Sequence, residues 1–153
     1  MIECVILSQY KIKGCLFMNK KDEAYFNVAK EVSKTSDFPR HHIGCAVVYK
    51  HRLISSGCNC KVTHPKQREL NKERFDEDTT HHWKHAELDA LLPIMNNKNI
   101  EWSKVKLYIY RELKDGSKAL SRPCKSCQKL IRELGIKKIW YTTKDGYIQE
   151  IFD

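Results

Sequence analysis

The sequence has no long apolar run and little glycine or proline. Its 153 residues include 6 glycines and 4 prolines, and no apolar stretch is long enough to span a bilayer. The first residues, Met-Ile-Glu-Cys-Val-Ile-Leu-Ser, lack the basic start and the extended apolar segment of a secretory signal. We therefore expect an intracellular, cytoplasmic protein with no membrane partner.

Internal repeats, low-complexity tracts and linkers rich in Gly, Pro or Ser are also absent. The chain is 41% hydrophobic, which is enough for a chain of this length to bury a core. We predict one domain over residues 1–153. Within it, residues 1–20 form an N-terminal extension whose short apolar runs fit either strands or an arm packed on the core.

Cysteine and positive charge are abundant. Seven cysteines are an odd number, and without an export signal they argue against a disulfide scaffold. The formal net charge of +9 suggests affinity for polyanions. Lysine-rich surfaces also simply keep proteins in solution, so the total charge does not decide between these interpretations.

Hydrophobic periodicity predicts alternating helices and strands. A stripe of Tyr25, Val28, Ala29 and Val32 predicts a helix over residues 22–33. The other predicted elements are strands at 43–49 and 53–59, a long polar connection at 61–84, a helix at 85–96 that Pro93 ends early, a strand at 105–110, a helix at 124–134, and strands at 136–142 and 147–152. This order predicts an α/β fold with one mixed sheet of about five strands covered by helices.

Two short motifs carry the candidate chemistry: His85-Ala86-Glu87 and Pro123-Cys124-Lys125-Ser126-Cys127. Cysteines three residues apart at a helix start place both sulfurs on one side of the first turn, where the helix dipole favours thiolate. With His85 at the start of the other helix, these residues predict a three-ligand Zn²⁺ site with one position open for water. On a regular helix Glu87 would point away from His85, which leaves its carboxylate free to move protons.

Each motif alone has other interpretations. A Cys-x-x-Cys pair is also typical of redox centres and of structural zinc half-sites. The combination is more specific, because each motif opens a predicted helix and a predicted strand separates them.

These motifs resemble the zinc-dependent cytidine/deoxycytidylate deaminase superfamily, and the resemblance extends from about Asp22 to Thr142. It implies a cytidine-deaminase-like three-layer sandwich. It also implies hydrolytic deamination, in which zinc hydroxide attacks C4 of cytosine and Glu87 is the proton shuttle. Substrate contacts are expected from Asn59 in the Gly-Cys-Asn turn and from Ala86. Arg122 stands where deaminases often carry Glu or Ser, so it is either a substrate-phosphate contact or a solvated charge.

Substrate size is the main open question. Residues 61–84 carry six basic and five acidic side chains, a near balance that favours a free nucleotide of the dCMP type over a polynucleotide. Two alternatives stay open: a deaminase of cytosine or adenine in single-stranded DNA or RNA, and a non-catalytic zinc-stabilised binding module. Related enzymes often self-associate, so the resemblance also implies a homo-oligomer.

Several other side chains have two interpretations. A second zinc site could be built from Cys58, Cys60, His64, His81 and His82, although Cys58 and Cys60 alternate along a strand, which argues against it. Trp83 is either a base-stacking residue or a core anchor. The basic stripe of Lys125, Lys129 and Arg132 is either a nucleic-acid contact or the solvated side of a helix.

Overall fold

A computed structural model describes residues 4–7, 10–15, 18–74 and 81–152, with side chains from residue 18 onward. Its strands are β1 (Cys4–Leu7), β2 (Tyr10–Cys15), β3 (His41–Tyr49), β4 (Arg52–Cys58), β5 (Val105–Leu113), β6 (Lys138–Thr142) and β7 (Tyr147–Ile151). Its α-helices are α1 (Lys20–Ser33), α2 (Pro65–Asn71), α3 (Ala86–Leu91) and α4 (Lys125–Leu134), and a 3₁₀ turn covers Trp102–Lys104. Within these ranges no helix combines the length and apolarity needed to cross a membrane.

The described strands form one sheet in the order β1-β2-β7-β6-β5-β3-β4. Strands β5 and β6 are parallel, whereas the other neighbours are antiparallel. The predicted mixed sheet is confirmed in β3 to β7. The β1–β2 hairpin adds two strands at the β7 edge, so residues 4–7 and 10–15 of the N-terminal extension are strands.

Side chains alternate between the two faces of the sheet and build two cores. Cys45, Val47, Leu107 and Ile109 face α2, α3 and α4 in a mainly aliphatic core. Ala46, Val48, Tyr108 and Tyr110 face α1 in a core rich in aromatic rings. This period of two gives the three-layer sandwich that was predicted, with α1 on one side and three helices on the other.

The buried face of α1 differs from its predicted stripe. The residues buried in α1 are Asp22, Phe26, Ala29 and Ser33, whereas Tyr25, Val28 and Val32 are only half-buried. The Asp22 carboxylate accepts a hydrogen bond from the buried Tyr108 hydroxyl, a contact that no local pattern shows. This hydrogen bond offsets the free-energy cost of burying the carboxylate. The buried face of α1 is therefore rotated toward Asp22 relative to the predicted stripe.

The connection between β4 and α3 contains a helix that the sequence analysis treated as loop. His64 is the N-cap of α2, where its ring nitrogen accepts from the Lys66 amide, and Pro65 occupies the first turn. The predicted early end of the next helix is correct, since α3 stops at Leu91, two residues before Pro93. Residues 75–80 of the predicted connection lie outside the described ranges.

Candidate metal and catalytic site

The N-terminal ends of α3 and α4 meet at one end of the sheet. His85 and Cys124 are the N-cap residues of these helices, both with extended backbone, and neither side chain caps its own helix. Both side chains therefore project into the cleft between the two helix starts. Cys127, in the first turn of α4, is fully buried beside them.

The three side chains converge on one point. The Nδ1 atom of His85 lies 3.4 Å from the Sγ atom of Cys124 and 3.4 Å from that of Cys127. All three ligand atoms lie within 4.8 Å of one another. A tetrahedral zinc with Zn–S near 2.3 Å and Zn–N near 2.0–2.1 Å requires an N···S separation of about 3.6 Å, so the geometry fits this ion.

This cluster is the only group of three or more His, Cys, Asp or Glu side chains within metal-ligating distance among the described residues. The other candidate ligands have separate surroundings. Cys58 Sγ accepts from Thr35, the His64 ring caps α2, the His81 ring stacks on Trp83, and His82 Nδ1 contacts Asn71. The structure does not bring Cys58, Cys60, His64, His81 and His82 together.

Glu87 faces the same cluster, which corrects the expected direction of its side chain. Its Oε2 atom lies 3.3 Å from Cys127 Sγ, and the residue is only 5% exposed. The expectation assumed that His85 is helical. Because His85 has extended backbone, with ψ at 159°, the helical offset between the two residues does not apply. A buried carboxylate therefore stands directly beside the candidate ligands.

The electrostatics of the cluster suit a thiolate metal site. A hydrogen bond with Cys127, together with the His85 charge, lowers the pKa of the Cys124 thiol to about 3. Burial alone would lower the pKa of His85, but its hydrogen bond with Cys124 raises it above the ordinary value. Burial also raises the pKa of Glu87, which favours a carboxyl group that can both accept and release a proton.

Helix α2 supports the site through a buried polar network. The Gln67 carbonyl accepts from the His85 backbone amide at 3.0 Å, and the Gln67 amide donates to Asn71 Oδ1 at 2.9 Å. Ser126, next to the candidate ligand Cys127, donates to the same Asn71 oxygen at 3.0 Å. The network joins the two helix starts that carry the candidate ligands. Gln67 and Asn71 were not predicted as site residues, although they share one face of α2 with the buried Leu70.

Strand β4 fixes the depth of α3. A Cβ atom on Gly57 would lie 2.5 Å from the Ala90 nitrogen, so only glycine allows the helix to pack this closely on the strand. The Asp89 carboxylate accepts from the Cys58 amide at 3.0 Å and pairs with Lys84 at 2.8 Å. These contacts hold the helix that carries Glu87.

Asn59, predicted as a substrate contact, is 3% exposed and bonded to β3. Its Oδ1 accepts from the Ile43 amide at 2.9 Å, and its Nδ2 donates to the His41 carbonyl at 3.2 Å. Its side chain thus ties the end of β4 to the start of β3. Ala86, the other predicted contact, is fully buried as the first residue of α3. The substrate roles of both residues stay predictions.

Arg122 forms a bidentate ion pair rather than standing free. Its Nε and Nη2 donate to the two carboxylate oxygens of Glu150 at 2.8 and 3.1 Å, and the Glu150 side chain is fully buried. The Tyr141 hydroxyl donates to the same carboxylate at 2.8 Å. Arg122 therefore anchors the segment before Pro123 to β7, and its predicted contact with a substrate phosphate stays a prediction.

An aromatic cluster lies beside the site. Trp83 is half-buried, with the His81 ring stacked on it at 4.3 Å and Phe38 edge-on at 5.4 Å. His41 stacks obliquely on Phe38 at 5.6 Å. Burial, then the charges of Arg111, His42 and His85, lowers the pKa of His41. Phe38 and His41 were not predicted as part of this cluster, since no sequence spacing links them to Trp83.

Solved deaminase structures share this fold. The apo dCMP deaminase from the cyanophage S-TIM5 is 23% identical with a TM-score of 0.57, over 82% of this chain and 86% of that one. The same enzyme in complex with dCMP and dUMP is 24% identical, with a TM-score of 0.55, over 82% and 83%. Cytidine deaminase from Burkholderia pseudomallei is 17% identical with a TM-score of 0.58, over 88% and 93%.

No curated protein matches the sequence significantly. The model of the cytidine and deoxycytidylate deaminase zinc-binding region matches residues 19–143. This range contains α1, the four strands β3 to β6, and the cluster of His85, Glu87, Cys124 and Cys127. The chain belongs to the cytidine and deoxycytidylate deaminase zinc-binding family.

Proposed function

We propose that the protein is a zinc-dependent deaminase that converts the cytosine base of a free nucleotide, of the dCMP type, to uracil. One observation carries the proposal. His85, Cys124 and Cys127 converge as three metal ligands, and the buried carboxylate of Glu87 lies 3.3 Å from one of them. A purely structural zinc site has four protein ligands and no use for such a carboxylate.

The chemistry divides between the ion and Glu87. When bound, zinc lowers the pKa of water toward neutrality and so supplies a nucleophile. His85, Cys124 and Cys127 would hold the ion, and Glu87 would move the protons. Glu87 would accept one proton as water adds to C4 of the ring and would donate it to N3. It would then transfer the proton of the new C4 hydroxyl to the exocyclic nitrogen, so that the C4–N bond breaks and ammonia leaves. The raised pKa of Glu87 suits a group that must be protonated in one step and ionised in another.

Ion pairing around the site supports a small substrate. Lys66 pairs with Glu69 and Glu133, Lys84 pairs with Asp89, and Lys129 pairs with Glu73. A polynucleotide groove requires an excess of unpaired basic side chains along the strand path. The cyanophage dCMP deaminase was solved with dCMP and dUMP, and its fold resembles this one.

A second candidate is deamination within single-stranded nucleic acid. The stacked pair of His81 and Trp83, with Phe38 beside it, is an aromatic surface of the kind on which bases stack. The formal net charge of +9 also favours binding to a polyanion. The same aromatic surface suits the base of a free nucleotide, so we place this candidate second.

The test is turnover by the zinc-loaded protein on dCMP, CMP, deoxycytidine, cytidine and short single strands that contain cytosine or adenine. Ammonia release and the change from cytosine to uracil absorbance are the readouts. The proposal requires turnover of a free cytosine nucleotide above that of any oligonucleotide. Turnover of oligonucleotides alone would support the second candidate instead.

A Glu87→Gln variant separates catalysis from metal binding. We expect it to keep one zinc per chain and to lose turnover by about 10²- to 10⁴-fold, the range of a general acid–base group. Glu133→Gln, at an exposed position of α4 that pairs with Lys66 and not with the cluster, is the matched control. No turnover by the wild-type protein on any substrate would leave the non-catalytic zinc module as the better description.

A further inference from the structure

We propose that a cavity at the end of the sheet opposite the metal cluster binds a small anion that carries two or more phosphate groups. The cavity has a volume of about 450 Å³. Five lysines line it: Lys21, Lys50, Lys104, Lys106 and Lys138, together with His51. Because it lies at the C-terminal end of β3 and the N-terminal ends of β5 and β6, this basic cavity does not overlap the metal site.

The charges of the cavity are mostly uncompensated. Lys104 pairs with Glu101 at 3.1 Å, and Asp22 is the one acidic side chain in the lining. For Lys21, Lys106 and Lys138 the structure shows no ion pair within the described part of the chain. This contrasts with Lys66, Lys84 and Lys129 near the metal cluster, each of which forms an ion pair.

Two of these lysines are direct neighbours in the sheet. Lys106 of β5 is the register partner of Lys138 on the parallel strand β6, and both line the cavity on the α1 side. Like charges directly opposite each other destabilise a sheet. An anion bound between the two ammonium groups would attract both of them and so offset their mutual repulsion. This pair of neighbouring lysines is the strongest indication that the cavity binds a ligand.

The β3–β4 turn adds strain at the rim of the cavity. Lys50 and His51, its two central residues, have φ of 51° and 62°, and they are the only described non-glycine residues with positive φ. A turn of this kind normally uses Asn-Gly. The Tyr25 hydroxyl donates to the His51 carbonyl at 2.7 Å and holds the turn over the cavity. Strain of this kind clusters at ligand sites.

The number of charges selects the ligand class. A phosphate monoester carries about −1.5 to −2 at neutral pH, too little to neutralise four lysines beside one carboxylate. A chain of two or three phosphates matches this charge, and the cavity volume lies within the usual range for a small ligand. The start of α1, at Lys20, adds the positive end of a helix dipole to the same lining.

The experiment is isothermal titration of the full-length, zinc-loaded protein with inorganic phosphate, pyrophosphate and tripolyphosphate at low ionic strength. Zinc content is measured before and after, because polyphosphates also chelate metal. We expect tripolyphosphate to bind at least about tenfold more tightly than phosphate, as one further charge-assisted contact is worth 1.5–3 kcal/mol. The inference does not depend on the proposed deamination, so failure of either leaves the other standing.

The decisive variant is the double substitution Lys106→Gln/Lys138→Gln. We expect it to weaken tripolyphosphate binding at least about tenfold, since two charged contacts are lost. The control, Lys98→Gln/Lys144→Gln, removes two exposed lysines outside the cavity and has the same net charge. Lys138→Gln alone, at an exposed position, replaces the double variant if that protein does not fold.

Three outcomes would overturn the inference. The first is no tripolyphosphate binding by the wild-type protein at millimolar concentration. The second is an equal loss of affinity in the cavity variant and its control, which would indicate attraction to net charge alone. The third is binding of an oligo(dT) single strand but not of tripolyphosphate, which would indicate a nucleic-acid surface.

Discussion

The two ends of the central sheet carry charge in opposite ways. At the metal end, acidic and basic groups are paired: the buried Glu150 pairs with Arg122, and the half-buried Asp89 pairs with Lys84. At the other end, Lys106 and Lys138 stand side by side without an acid. Charged side chains that support the metal cluster are neutralised by partners within the protein. Lysines without such partners indicate that the protein could bind an anion.

The largest effect is expected from Glu150→Ala at the paired end. This change leaves Arg122 without its bidentate partner and Tyr141 without its acceptor. We expect the free energy of unfolding to fall by about 3 kcal/mol, the low end for breaking a buried ion pair because Arg122 is partly exposed. Urea denaturation measures it. The control Glu133→Ala removes an exposed acid, and an equal effect there would contradict the role of Glu150.

The next effect tests how α3 is positioned. Gly57→Ala would place a Cβ atom 2.5 Å from the Ala90 nitrogen, so α3 must move away from β4. We expect a loss of about 2 kcal/mol in unfolding free energy, typical of overpacking, together with a lower kcat because Glu87 moves with the helix. Ser56→Ala, exposed on the same strand, is the control. Unchanged kcat in a destabilised Gly57→Ala protein would show that the helix position is not critical for turnover.

A third change would make the far end resemble the metal end. Lys138→Glu places a carboxylate opposite Lys106 and replaces a repulsive pair with an attractive one. We expect the unfolding free energy to rise by about 0.5 kcal/mol, within the range of cross-strand pairs. Lys137→Glu makes the same charge change just before the strand. A similar gain in that variant would assign the effect to net charge.

The smallest effect concerns pH. Burial first, and then the Arg111 charge, lowers the pKa of His41, so folding favours the neutral ring. Its contribution to stability is complete above the ordinary pKa of 6.5 and is lost as pH falls through the folded value. Between about pH 7 and pH 5, we expect the unfolding free energy of His41→Gln to fall less than that of the wild-type protein. An unchanged slope in denaturation at these two pH values would contradict this.

Local patterns predicted the elements, but tertiary partners decided several faces. Apolar, β-prone runs identified β3 and β5, and Pro93 identified the early end of α3, because these signals lie within a few residues. The buried face of α1 was wrong because Asp22 finds its partner, Tyr108, 86 residues away. A charged residue looks exposed until its distant partner is known.

At the candidate site, too, local sequence signals were sufficient for some residues, whereas distant contacts decided others. Ligand type and spacing identified His85, Cys124 and Cys127, and the structure brings them together. The direction of Glu87 was wrong because α3 begins one residue later than assumed, which leaves His85 as an N-cap residue with extended backbone. Gln67 and Asn71 were not found, since their function is to bond a backbone amide and a serine, and no sequence spacing records such contacts.

The separation of the ligands along the chain has a consequence for folding. His85 and Cys124 are 39 residues apart, and α3, β5 and the following loop lie between them. An ion shared by both ends closes this segment into a ring, as a covalent cross-link would. Closing a loop of that length costs the unfolded chain about 3 kcal/mol in conformational entropy. An ion that stays bound at both ends keeps the loop closed, so folding no longer includes this cost. Metal loading should therefore slow the opening of β5, the strand that joins the two cores.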